Sequence, residues 1–87
     1  MKVFRYEVPV DDEWHEVQLT GPIVHVAAHF GQVSPLHFWA LSGVGEPHPA
    51  RLRVFGTGHQ VPDDAEYRGT AIIEPLVWHL FEELLPA

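Results

Sequence analysis

The run Val54-Phe55-Gly56-Thr57-Gly58-His59 carries a strand-like segment into two glycines one residue apart. A histidine follows, and then a Pro62-Asp63-Asp64 turn. Glycines so placed let the backbone take positive φ and let another group approach it closely. Amides freed in such a loop can cradle an anion. An arginine beside the loop would suit a phosphate. Arg51 and Arg53 stand just before it, and Arg68 is placed to return nearby. No Lys-Ser/Thr follows and no helix starts there, so this is not the phosphate loop of a nucleotide hydrolase. The competing reading is a β-bulge corner with its arginines in solvent.

Seven histidines and ten aromatic residues offer further chemistry. His25 and His29 have the i, i+4 spacing that places two imidazoles on one helical face for a metal. On a strand, four residues span about 13 Å, too far for one ion. The segment reads as a strand, so no metal is assigned. Trp14-His15 and Trp78-His79 are aromatic–imidazole pairs. Trp14, Tyr67 and Trp78 can stack a planar base, or can serve as core, where each ring buries a large area. Alternation along a strand sends each tryptophan and its neighbouring histidine to opposite faces. Thr57 with His59 has no visible third member, and Asp63-Asp64 sits in a turn that favours Asp for local hydrogen bonds. Nucleophilic catalysis therefore has no support beyond residue availability, and the residues favour a binding protein over an enzyme.

The elements that must position these groups read as strands. Lys2 to Val10 alternates, with Phe4, Tyr6, Val8 and Val10 on one face. Asp11-Asp12-Glu13 turns the chain and Trp14 to Leu19 returns as a first hairpin. Ile23 to Phe30 and Leu36 to Leu41 are apolar strands around a loop at 31–35. A Gly/Pro loop over Ser42–Ala50 leads to Arg51–Phe55. Val61 to Gly69 reads as irregular, and Thr70 to Ile73 as a short strand. The segment 76–85 fits a strand or a short helix, and the turn at Glu74-Pro75 favours strand as far as Phe81. The sum is an all-β chain, a small compact antiparallel sandwich or barrel of about seven short strands in a single domain, 1–87.

Composition narrows the partners. The formal charge is −7, with five basic residues against twelve acidic ones, and Lys2 is the only lysine. Binding a duplex needs clustered basic side chains, so nucleic acid is not an expected partner. No apolar run reaches membrane-spanning length, and no signal segment opens the chain. A soluble, cytoplasmic protein is expected. Cysteine is absent. A domain this small without a staple often completes its core by oligomerising, so a homo-oligomer is expected.

Several stretches recur together in order: Glu13-Trp14-His15-Glu16; Val54-Phe55-Gly56-Thr57-Gly58-His59 with Pro62-Asp63-Asp64-Ala65; Tyr67-Arg68-Gly69-Thr70; and Val77-Trp78-His79-Leu80-Phe81-Glu82. Jointly they resemble a family of small uncharacterised proteins from bacteriophages and actinobacterial genomes, over most of the chain. The resemblance implies a phage or prophage origin, and hence the cytoplasm of an infected host; it carries no assigned catalytic or ligand residues. The expectation that follows is a non-enzymatic accessory protein, without a cofactor, that binds a nucleotide-like immune signal and counters host defence. Arg53, Gly56, Thr57, Gly58, His59 and Arg68 would hold phosphate, with Trp14, Tyr67 or Trp78 on the base. The alternatives are a module that inhibits a host protein, and a histidine-dependent hydrolase or metal enzyme.

Overall fold

A computed structural model describes residues 1–28, 36–73 and 75–83. Seven strands and no helix occur among them: β1 (Lys2–Val8), β2 (His15–Leu19), β3 (Ile23–Ala28), β4 (Leu36–Ser42), β5 (His48–Gly56), β6 (Ala65–Ile73) and β7 (Leu76–Glu83). All pairings are antiparallel. One sheet has the order β1-β4-β3 and the other β2-β5-β7-β6. The two sheets face each other as an open sandwich. No helix in the described residues is long and apolar enough to cross a membrane.

The core follows from period-two alternation in both sheets. Val8, Val26, Leu36, Phe38 and Ala40 come from the first sheet. Leu19, Ala50, Leu52, Val54, Ala71 and Leu80 come from the second. Tyr6 stacks on Phe38 with ring centroids 5.0 Å apart. The last segment is a strand because Leu80 and Trp78 face this core while Val77, His79 and Phe81 face away. That division has period two rather than 3.6.

Three expectations change. Lys2–Val8 and His15–Leu19 do not form a hairpin. β1 pairs with β4 and β2 with β5, so the Asp11–Glu13 turn carries the chain from one sheet to the other. The segment expected to be irregular contains the first half of β6, which starts at Ala65 and is bulged between Tyr67 and Gly69. The strand of basic residues is longer than Arg51–Phe55, running from His48 to Gly56. His29, Phe30 and the loop at 31–35 lie outside the described residues, as does the second member of the His25/His29 pair.

The crossing turn has its own clasp. Asp11 accepts hydrogen bonds from His15 Nε2 at 2.8 and 3.0 Å and from the Glu13 amide at 3.0 Å. The His15 hydrogen bond is the main cause that holds the Asp11 carboxyl below its ordinary 3.8. A carboxyl depressed on folding stabilises the fold above its unfolded pKa. That contribution is lost as pH falls through the lower, folded value. A carboxylate NMR titration is expected to place Asp11 below 3.8, and His15→Gln to return it towards that value. An Asp11 titration unmoved by His15→Gln would show that the clasp does not form.

Candidate functional site

Strand pairing sorts the expected site residues by face, because directly opposed residues share one. In the four-stranded sheet, Ala50, Leu52, Val54 and Leu80 point into the sandwich. Arg51, Arg53 and Phe55 on β5, with His79 and Phe81 on β7, therefore point outward. Tyr67 and Thr70 on β6 oppose Phe81 and His79 and join this outer face. Trp14, just before β2, joins it too, since its ring meets Phe55 edge-on at 6.0 Å. Phe55 meets Phe81 at 5.6 Å, and Phe81 meets Tyr67 at 5.7 Å. A line of four aromatic rings thus crosses the sheet on the side away from the core.

The glycine turn closes on itself. Gly56 O accepts the His59 amide at 3.1 Å, and Gly58 has φ +91°. Positive φ at the third position is the type II pattern, which only glycine meets without strain. The Gly56 amide donates to His59 Nδ1 at 3.1 Å. Two of the amides expected to hold phosphate, those of Gly56 and His59, are thus taken by the turn itself. A Cβ on Gly56 would also lie 3.0 Å from the His59 ring and 3.3 Å from Trp78. Gly56 is therefore needed for close approach of two rings, and the corner reading describes most of this turn.

The arginines differ in what they already hold. Arg51 Nη1 lies 2.7 Å from Glu83 Oε2, and its guanidinium sits 6.0 Å from the Trp14 ring. Arg68 is the extra residue of the β6 bulge. It pairs with Glu82 at 2.9 Å and Glu66 at 3.0 Å. Glu82 lies on the core side of β7, so Arg68 turns away from the glycine loop. It lines a cavity of about 460 Å³ between Leu19, Ile23 and Val44 at an open end of the sandwich. Arg53 is different. Its guanidinium lies 4.6 Å from the Phe55 ring, and its nearest carboxylate among the described residues, that of Asp12, is 4.0 Å away. That distance is too long for a hydrogen bond. Arg53 lines a groove of about 470 Å³ with Phe55, Gln60, Val61, Pro62 and Asp63.

Trp78 does not reach this face. It packs against the core, as alternation requires once His79 faces out. Of the expected site residues, the structure brings together Trp14, Arg53 and Tyr67 on one face, with Thr57 at its rim. It sends Arg68 and Trp78 elsewhere and uses His59 to close the turn.

One constellation was not anticipated. Thr57 Oγ1 lies 2.9 Å from His79 Nε2, His79 Nδ1 lies 3.0 Å from Thr70 Oγ1, and Thr70 Oγ1 lies 2.6 Å from Tyr67 Oη. Thr57 Oγ1 also reaches the Val77 carbonyl at 3.5 Å. The chain is satisfied in one direction throughout: Tyr67 donates to Thr70, Thr70 to Nδ1, Nε2–H to Thr57, and Thr57 to the carbonyl. Its physical effect is to tie the glycine turn to β6 and β7. A hydroxyl, that of Thr70, stands behind the imidazole where a catalytic triad has a carboxylate. The signal was present in part. A hairpin that pairs Ile73 with Leu76 already sets Thr70 opposite His79.

The molecule is a small open β-sandwich with a row of aromatic rings and Arg53 on the outer face of one sheet. The chain belongs to the family described as a domain of unknown function, DUF7352, which matches residues 1–86. No curated protein and no solved structure matches it.

Proposed function

We propose that this is a non-enzymatic binding domain of phage or prophage origin that holds a small nucleotide-like ligand on the outer face of the β2-β5-β7-β6 sheet. The resemblance noted in the sequence supports the origin. Sequestering a nucleotide immune signal, and so countering host defence, is the task that origin suggests. Arg53 carries the reading. Among the described residues, Arg51 and Arg68 are each bound to carboxylates within 3.0 Å, whereas Arg53 has none closer than 4.0 Å and lines a groove. A guanidinium in that state retains donors for a guest anion. Phe55, Val61 and Pro62 give the groove an apolar wall for a ring. Gln60 and Asp63 supply acceptors for the N–H groups of a base. Asp63 also repels a second negative charge, which favours a nucleotide with a single exposed phosphate over a bare polyanion.

Calorimetry against cyclic nucleotides and ADP-ribose derivatives tests this. Binding is expected with at least one, together with a change in Trp14 fluorescence. Arg53→Gln is expected to weaken it about tenfold or more, the equivalent of one charge-assisted hydrogen bond. Arg51→Gln is expected to change it little. No heat with any of the panel at high protein concentration sinks the reading. A second reading, inhibition of a host protein, is supported by Tyr67 and Ile72, which leave large apolar surface exposed on the same face. A stoichiometric host protein captured without any small ligand would favour it.

A further inference from the structure

An edge strand offers a row of unpaired backbone groups, and folded domains guard such edges. Among the described residues, three of the four edges are guarded. β3 carries a register shift between Ile23 and His25, and β6 a bulge between Tyr67 and Gly69. These two edges also lie against each other, close enough that a Cβ on Gly69 would fall 2.5 Å from Val26 Cγ2. β2 is only five residues long, and the carbonyl of the next residue, Thr20, is covered by the amides of Val44 and Gly45. β1 differs. It runs seven residues in unbroken register from Lys2↔Ser42 to Val8↔Leu36. Its first four residues, Lys2 to Arg5, are exposed on both faces, and Val3 and Phe4 are 56% and 46% exposed.

We infer that β1 is the interface with a second copy of this chain, joined edge to edge and antiparallel, so that two three-stranded sheets become one of six strands. The size of the domain and its lack of any covalent staple make such completion favourable. The two-fold axis of such a pair stands perpendicular to the sheet, so inward residues oppose inward ones and outward residues oppose outward ones. Charge then selects the register. With Arg5 on the axis, two guanidiniums would oppose each other, which is destabilising. With Phe4 on the axis, Arg5 opposes the partner's Val3 and gains no ion pair. With Tyr6 on the axis, Arg5 opposes the partner's Glu7 twice over, and Phe4 opposes the partner's Val8. The Glu7 side chain is 58% exposed, with His37 Nε2 at 3.7 Å, and so is available to a partner. Pro9 then stands opposite the partner's Val3. It lacks an amide donor, which the pairing tolerates where that pair is not hydrogen-bonded.

Sedimentation velocity over a wide concentration range tests this independently of ligand binding, which uses the other sheet. The wild-type chain is expected at twice 9.8 kDa. Arg5→Glu and Glu7→Arg, each alone, place like charges opposite and are expected to give monomers with wild-type circular dichroism. The Arg5→Glu/Glu7→Arg double variant restores the opposition and is expected to dimerise. An equimolar mixture of the two single variants is expected to form a heterodimer, a result that misfolding of either cannot produce. A wild-type monomer at every concentration overturns the inference. So does a dimer indifferent to both single changes, or the failure of the mixture to associate.

Discussion

Phe38→Ala is expected to remove about 3–5 kcal/mol of stability, the usual cost of emptying an aromatic site in a core. For 87 residues, the whole stability is about 4–13 kcal/mol. The substitution therefore takes the fold close to its limit. Phe38 sits on the central strand of the smaller sheet, fully buried, between β1 and β3, and stacks on Tyr6 at 5.0 Å. The opposite sheet cannot easily close the space, because its central strands are fixed by ladders on both sides. Urea unfolding should show the loss as a lower midpoint with an unchanged slope. Heating should show a fall of roughly 15–25 °C, at about 5 °C per kcal/mol for a domain of this size. A loss below about 1.5 kcal/mol would mean that the two sheets do not depend on this ring.

What could be read from the sequence was the face of each residue; its neighbour could not. Tyr6 and Val8 face inward as their alternation requires, and Trp78 and His79 divide between faces as adjacent strand residues must. Alternation is the same whether two successive strands lie side by side or face each other across a core. The Asp11–Glu13 turn was thus legible as a turn, but not as a crossing between sheets. The β6 bulge hid a strand for a related reason. One extra residue at Arg68 breaks the period of two, and a segment that changes phase midway reads as irregular.

The site was legible where it is local and illegible where it depends on pairing. Gly56, Gly58 and their turn are a matter of four consecutive residues, and Gly58 has the positive φ its type suggested. That His59 would fill the turn with its own ring nitrogen, displacing a guest anion, needs side-chain geometry that spacing does not give. Arg51, Arg53 and Arg68 look alike in sequence. Only the positions of Glu83, Glu82, Glu66 and Asp12 separate two arginines that hold carboxylates within 3.0 Å from one whose nearest described carboxylate is 4.0 Å away. Thr57 meets His79 because β7 lies between β5 and β6, an order with no local signature.

Gly69→Ala should be damaging, and its reason is space rather than backbone conformation. Gly69 follows the bulge on β6, where the edges of the two sheets come together. An added Cβ would meet Val26 Cγ2 at 2.5 Å and Val26 Cβ at 2.7 Å. Val26 is itself buried in the core, and β-branching leaves it few rotamers into which to retreat. The strands must part, and overpacking of this kind costs about 1–3 kcal/mol. The diagnostic is the double change. Val26→Ala alone opens a cavity and should cost about 1–3 kcal/mol, scaled down from larger aliphatic deletions. In the double variant, Val26→Ala removes the Cγ2 contact at 2.5 Å but leaves the Cβ at 2.7 Å, so only part of the overpacking is relieved and the pair should cost somewhat less than the sum. Chemical unfolding of the four proteins measures that coupling. Strict additivity would show that β3 and β6 do not touch at this point, and that the sandwich is open along the edge where it is closed here.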